Sequence, residues 1–122
     1  MAESDRKRIA EKYQELINSV PHTFPREGKV HVSKLKGVYI IYAPSGDVLH
    51  VGRNTKAKGG IDQRLNNHIN GRSSFMKKVY NRDGSMLRGT HKFRFLALDE
   101  SYRDRAWLEA LTAGLLCPEH IG

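Results

Sequence analysis

GVYIIYAPSGDVLHVGRN, residues 37–54, holds two β-branched and aromatic runs, 38–43 and 48–52, on either side of the turn signal Pro44-Ser45-Gly46. This predicts an antiparallel hairpin, and its register decides what the polar residues inside it do. With Ser45 and Gly46 as a two-residue turn, Ala43 opposes Val48 and Tyr39 opposes Gly52, so Tyr39, Ile41, His50 and Gly52 share a face. A three-residue turn sends Tyr39 and His50 to opposite faces, because side chains alternate with a period of two. The stretch is compatible with both.

Downstream of the hairpin, a loop rich in Lys and Gly leads to GGIDQRLNNHING, residues 59–71. There Ile61, Leu65 and Ile69 recur every four residues and predict a short helix ending near Gly71. Arg64 and His68 are also four apart, so they stack on one face beside that apolar stripe. Ser73 caps a second short helix over SSFMKKVY, and NRDGS is a turn. THKFRFLAL is a strand in which Phe93, Phe95 and Ala97 alternate with Lys92 and Arg94. Ser101 and Asp104 make a start resembling a capping box, Asp standing for Glu, to a helix through RAWLEALTAGLL. Within 106–116 Glu109 is the only charged residue. Carboxylates are seldom buried alone, so either it meets a metal or a basic partner, or it points to solvent from the polar edge of the helix.

Upstream, residues 3–18 predict an amphipathic helix with Ile9, Tyr13, Leu16, Ile17 and Val20 at helical spacing, closed by Pro21. Two prolines, Gly28 and several charges make 21–36 an irregular connector with a short strand near 30–32.

The 122 residues suit one domain, 1–122, with 1–35 as amino-terminal helix and connector and 36–118 as the principal module. No apolar run is long enough to span a bilayer, and the charged first twenty residues do not resemble a signal peptide. The expectation is a soluble, cytoplasmic chain without a membrane partner. Cys117 is the only cysteine, which excludes a disulfide framework and a four-cysteine zinc site. It is expected to be a small buried residue, and with His120 it supplies too few ligands for zinc. His22, His31 and His91 have no ligand-like spacing and are taken as surface or structural.

The net charge of +8 is unevenly spread. Residues 53–94 hold eleven Lys and Arg against Asp62 and Asp83, whereas the rest holds ten basic residues against eleven acidic. A basic middle on a neutral frame is the footprint of a polyanion binder, because Lys and Arg that neutralise phosphates release counterions. Nucleic acid is the expected partner. Basic residues scattered over the whole surface would instead favour an interaction domain with no nucleic-acid role.

Gly37-Val38-Tyr39, then His50-Val51-Gly52 at hairpin distance, then Arg64 and His68 on a helix, then Glu109 on a late helix, together resemble the GIY-YIG nuclease family over residues 36–118. The resemblance implies an α+β fold: a small three-stranded antiparallel sheet flanked by helices, here with an extra amino-terminal helix. It also implies a phosphodiester hydrolase that uses one divalent cation, Mg²⁺ or Mn²⁺.

In that family's terms Glu109 ligates the cation, a hard ion suited to carboxylate oxygen with water and phosphate completing its shell. Tyr39 is the general base, which requires nearby cations to lower a phenol pKa of about 10. Arg64 holds the scissile phosphate with its fixed fork of donors. His68 bonds Tyr39 or a phosphate. His50 departs from the family, standing in place of its second tyrosine, and an imidazole there, which accepts a proton more readily than a phenol, either assists or replaces Tyr39 as base or only contacts phosphate. A second departure is CPEHIG, which offers Glu119 and His120 where members usually carry an asparagine.

Arg53, Lys56, Lys58, Arg72, Lys77 and Lys78 are the expected nucleic-acid contacts. The expectation is a metal-dependent endonuclease cutting DNA more readily than RNA; the alternative is a nuclease-like module that has lost activity and only binds nucleic acid or protein. Nonspecific cutting, recognition through loops 53–60 or 81–90, and cutting as a homodimer all stay open.

Overall fold

The chain runs α1 (Glu3–Ile17), β1 (His22–Thr23), β2 (Gly37–Tyr42), β3 (Val48–Arg53), α2 (Gly60–Ile69), α3 (Ser74–Val79), β4 (Lys92–Ala97) and α4 (Tyr102–Leu116), with a 3₁₀ turn at Gly84–Met86 before β4. These elements come from a computed structural model that describes residues 2–54 and 58–120. The result is an α+β architecture whose strands form one sheet in the order β1-β4-β2-β3, every neighbouring pair antiparallel.

Three strands match the sequence reading; the fourth does not. It is the two-residue β1, which pairs His22 with Phe93 and Thr23 with Lys92 at the edge of β4. The strand expected near 30–32 is absent because side chains of α2 take its backbone donors. Asp62 Oδ1 accepts the Val32 and Ser33 N–H groups at 2.6 and 2.9 Å, and Asn66 Oδ1 accepts Val30 N–H at 2.8 Å. A backbone satisfied in this way has no ladder to join.

The hairpin has a three-residue turn. Ala43 N–H donates to Asp47 O at 2.8 Å and Gly46 N–H to Ala43 O at 2.9 Å, with Gly46 at φ +97°. A left-handed residue here favours glycine. Alone, this turn would separate Tyr39 from His50. A bulge reverses that outcome: Tyr42 pairs with Val48 but Ile41 pairs with His50, so Leu49 is the extra residue. Beyond the bulge Tyr39 opposes Gly52, and Leu49 and His50 both lie on the Tyr39 side.

Helices cover both faces of the sheet, which is why β2 is apolar at nearly every position and buried from Gly37 through Ile41. On one face Tyr39, Ile41 and Phe93 pack with Ile61, Leu65 and Ile69 of α2 and with Phe75 and Met76 of α3. On the other, Val38, Ile40 and Val51 pack with Ile9 and Leu16 of α1 and Leu108 of α4. Truncating a fully buried residue such as Ile40 to alanine should cost about 2–5 kcal/mol. The α1 helix is tied to α4 by Arg8, whose guanidinium makes two 2.9 Å bonds to the Asp104 carboxylate. Val20 is not on the α1 stripe, since the helix stops at Ile17 and Val20 is 70% exposed. Among the described residues no helix is long and apolar enough to cross a membrane.

Candidate active site

Tyr39 stands in the middle of the central strand with its ring over Gly52. A Cβ at residue 52 would lie 2.5 Å from Tyr39 Oη and 3.0 Å from His50 Nε2, so the absent side chain makes room for both rings. From there a hydrogen-bond chain runs into α2 and α3. Tyr39 Oη is 2.7 Å from His68 Nε2, and His68 Nδ1 is 2.6 Å from Ser73 Oγ, which also accepts Met76 N–H at 3.2 Å as the cap of α3. A neutral imidazole has one donor and one acceptor. Either Tyr39 donates to His68 and His68 to Ser73, or both protons run the opposite way.

The electrostatics of this chain differ from the sequence expectation. Burial pushes the Tyr39 phenol well above its ordinary value, and the Arg64 guanidinium opposes this by charge and hydrogen bonding without reversing it. Burial also holds His68 well below the usual imidazole range, with its neighbour His50 and the Arg64 guanidinium acting in the same direction. The site at rest is therefore a neutral phenol against a neutral imidazole.

His50 is buried and stacked on Phe75, with ring centroids 5.0 Å apart. Its Nδ1 is 3.1 Å from Nδ1 of His120, which the chain end delivers by pairing alongside β3: His120 N–H donates to Leu49 O at 2.9 Å. Burial, then the neighbouring His120 and Arg64, lowers His50 to about 3. The sequence reading treats His50 as an imidazole of unperturbed basicity, and burial makes it a much weaker base than that. The Nε2 atoms of both histidines are buried without a partner among the described residues.

Glu109 projects from α4 and is half-buried. Its Oε1 accepts from Arg53 Nη1 at 2.7 Å, so the basic partner that the sequence allowed for is present. Burial raises the Glu109 carboxyl, and the charge and hydrogen bond of Arg53 pull it back. Arg53 also lies over the Tyr102 ring, 5.6 Å from its centroid. Arg64 forms no ion pair among the described residues.

His50, Gly52, Arg53, Arg64, Glu109 and His120 line one open cavity of about 320 Å³. Tyr39 and His68 lie behind it, reached through His50 and Arg64. A second cavity of about 260 Å³ shares Arg53 and Arg64 and adds Asn54, Lys58, Gln63 and Asn67. Of the expected nucleic-acid contacts, Arg53 and Lys58 are at these cavities, and the charge of Lys78 reaches His120 at the rim. Arg72 and Lys77 are exposed but line neither cavity, and Lys56 falls outside the described residues.

As a metal site the arrangement is sparse. Among the described residues no group of three or more His, Cys, Asp or Glu could hold a cation. Among the described residues Glu109 is the one carboxylate lining the cavity, with Oε2 left over from the Arg53 bond. That donor set fits a hard cation only where water and a phosphate fill the remaining positions.

Two residues were not legible as site members. Ser73 reads as a helix cap, and although Gly71 marks the turn after α2, nothing in the sequence says that the turn folds Ser73 back onto His68. Phe75 reads as core. Cys117 is exposed, contrary to expectation, because it is the left-handed cap of α4 with φ 49°. His22 stacks on Phe93, His91 bonds Tyr80 Oη at 2.6 Å, and His31 is exposed, as surface or structural residues should be. No family model matches the chain, and no curated protein matches it.

Proposed function

We propose that this protein is a metal-dependent phosphodiester hydrolase of the GIY-YIG type, acting on nucleic acid and on DNA in preference to RNA. The observation that carries this reading is the convergence of Tyr39, His50, Arg64, His68 and Glu109, from four different elements, on one basic cavity with a single carboxylate. A structural tyrosine or a solvated arginine needs no such company.

Arg64 binds the scissile phosphate and neutralises the charge that grows in the transition state. The attacking water gives its proton to Tyr39 Oη as Tyr39 passes its own to His68 Nε2, and His68 Nδ1–H stays bonded to Ser73. One proton enters this relay and one imidazolium results, which the incoming phosphate charge stabilises. Arg53 keeps Glu109 ionised and positioned. The Glu109 carboxylate would hold Mg²⁺ or Mn²⁺, a Lewis acid for the phosphoryl oxygens when bound. The leading test is supercoiled plasmid with Mg²⁺, Mn²⁺ or EDTA: metal-dependent nicking that is lost in Glu109→Gln supports the reading, and intact plasmid and intact RNA under every condition overturn it.

A second reading, an inactive module that only binds nucleic acid, is favoured by the complete burial of Tyr39 and the engagement of Glu109 by Arg53. It predicts salt-sensitive binding with no cleavage in any metal.

A further inference from the structure

His50 and His120 make a pair that the proposed relay does not use. Both are nearly closed off, at 4% and 5% exposure, yet both line the first cavity. Their Nδ1 atoms face each other at 3.1 Å. Two imidazole nitrogens that share a tetrahedral ion at about 2.0–2.1 Å stand about 3.3 Å apart, so the pair is already spaced almost as two ligands of one cation. Backbone bonds hold His120 there: its N–H donates to Leu49 O at 2.9 Å, and Glu119 N–H donates to Val48 O at 3.2 Å. His50 is fixed by the bulge in β3 and by its stack on Phe75.

Without an ion, one Nδ1 carries the proton of the Nδ1–Nδ1 bond and the other accepts it. An ion on both Nδ1 atoms requires that proton to leave. Nε2 of the same ring takes it, being the acceptor in that tautomer, and loses no bond by doing so because neither Nε2 has a partner among the described residues. Both rings stay neutral, the form that ligates metal. Burial favours that form, and so do His120 and Arg64 acting on His50 and Lys78 acting on His120. Arg64 and Lys78 also oppose a dication, whereas Glu109 lines the cavity with the opposite charge. With two protein ligands, and water from the cavity completing the shell, the affinity falls well short of a four-ligand structural site.

We propose that His50 Nδ1 and His120 Nδ1 form a nitrogen-ligand cation site that takes an imidazole-preferring transition-metal dication, Zn²⁺ foremost, and not the oxygen-seeking Mg²⁺. It is separate from the oxygen site proposed at Glu109 and does not rest on the nuclease reading.

The test is isothermal titration calorimetry of the full chain with zinc chloride near neutral pH, in chelator-free buffer with excess Mg²⁺. His120→Ala keeps the backbone N–H that docks its segment and should weaken Zn²⁺ binding by about tenfold or more. The exposed His31→Ala should stay within about threefold of wild type, and Glu109→Gln should weaken binding less than His120→Ala does. Nitrogen chemical shifts supply the second readout: Zn²⁺ should move Nδ1 of His50 and His120 and leave Nδ1 of His68, which is bonded to Ser73, in place. No Zn²⁺ binding in excess Mg²⁺, an affinity unchanged in His120→Ala, or binding that disappears with Glu109→Gln instead overturns the site. None of these outcomes bears on cleavage, which the plasmid test reads separately.

Discussion

Tyr39 and Gly52 oppose each other across the hairpin, and the phenol occupies the space that a side chain at residue 52 would need. Gly52→Ala therefore has to displace Tyr39 Oη and crowd His50. The expected cost is about 1–3 kcal/mol of stability, as for overpacking elsewhere, with a loss of cleavage larger than that cost explains. Denaturant unfolding and plasmid nicking measure the two effects, and wild-type behaviour in both would show that the rings are not packed this way.

The Tyr39–His68–Ser73 chain predicts unequal costs for its members. Tyr39→Phe leaves His68 Nε2 buried without a partner, worth about 1–3 kcal/mol, and on the proposed mechanism removes the proton acceptor, worth roughly 10²–10⁴-fold in rate. Ser73→Ala removes the α3 cap and the His68 Nδ1 partner together, at about 2–5 kcal/mol. Nitrogen chemical shifts of His68 should change in both variants, because each frees one ring nitrogen.

The buried histidines make stability depend on pH. His50 is lowered to about 3, and His68 and His120 are lowered in the same direction, so near neutrality the unfolded chain binds protons that the folded chain does not. Stability should be full above about pH 6.5 and fall as the pH drops below it, by up to about 1.4 kcal/mol per pH unit for each histidine. Asp104, lowered chiefly by its Arg8 hydrogen bonds, acts only at more acid pH. Thermal unfolding between about pH 5 and pH 7 reads the slope, which should be shallower in His50→Asn; a flat wild-type profile contradicts the burial of these imidazoles.

Arg53 is the cation that offsets the burial of Glu109. In Arg53→Ala the carboxyl should rise further, moving the acidic limb of the cleavage profile to higher pH, while nucleic-acid affinity falls with the lost charge. An unmoved acidic limb would mean that Glu109 ionisation does not govern activity.

Much of this arrangement was legible locally. The apolar runs at 38–43 and 48–52, the four-residue spacing of Ile61, Leu65 and Ile69, and the Ser73 and Ser101 caps are short-range signals, and each element formed where its signal lies. The connector misled, because Val30 and Val32 have strand character while the groups that hold their backbone, Asp62 and Asn66, are about thirty residues away. Val20 and Cys117 misled for a nearer reason: a helix end decides which side chains leave the core.

The sequence by itself determined the four helices, the three longer strands and their order, and the concentration of basic residues between 53 and 94 ahead of a last helix with Glu109 as the one charge in 106–116. Only the tertiary structure decided that Tyr39 and His50 share a face, because a three-residue turn and a compensating bulge at Leu49 have opposite effects and neither is written in the periodicity. It alone also decided that Glu109 meets Arg53, that His120 returns to His50, and that the site histidines are neutral. Those are outcomes of burial and of contacts between distant segments, and alternation and helical spacing carry no information about either.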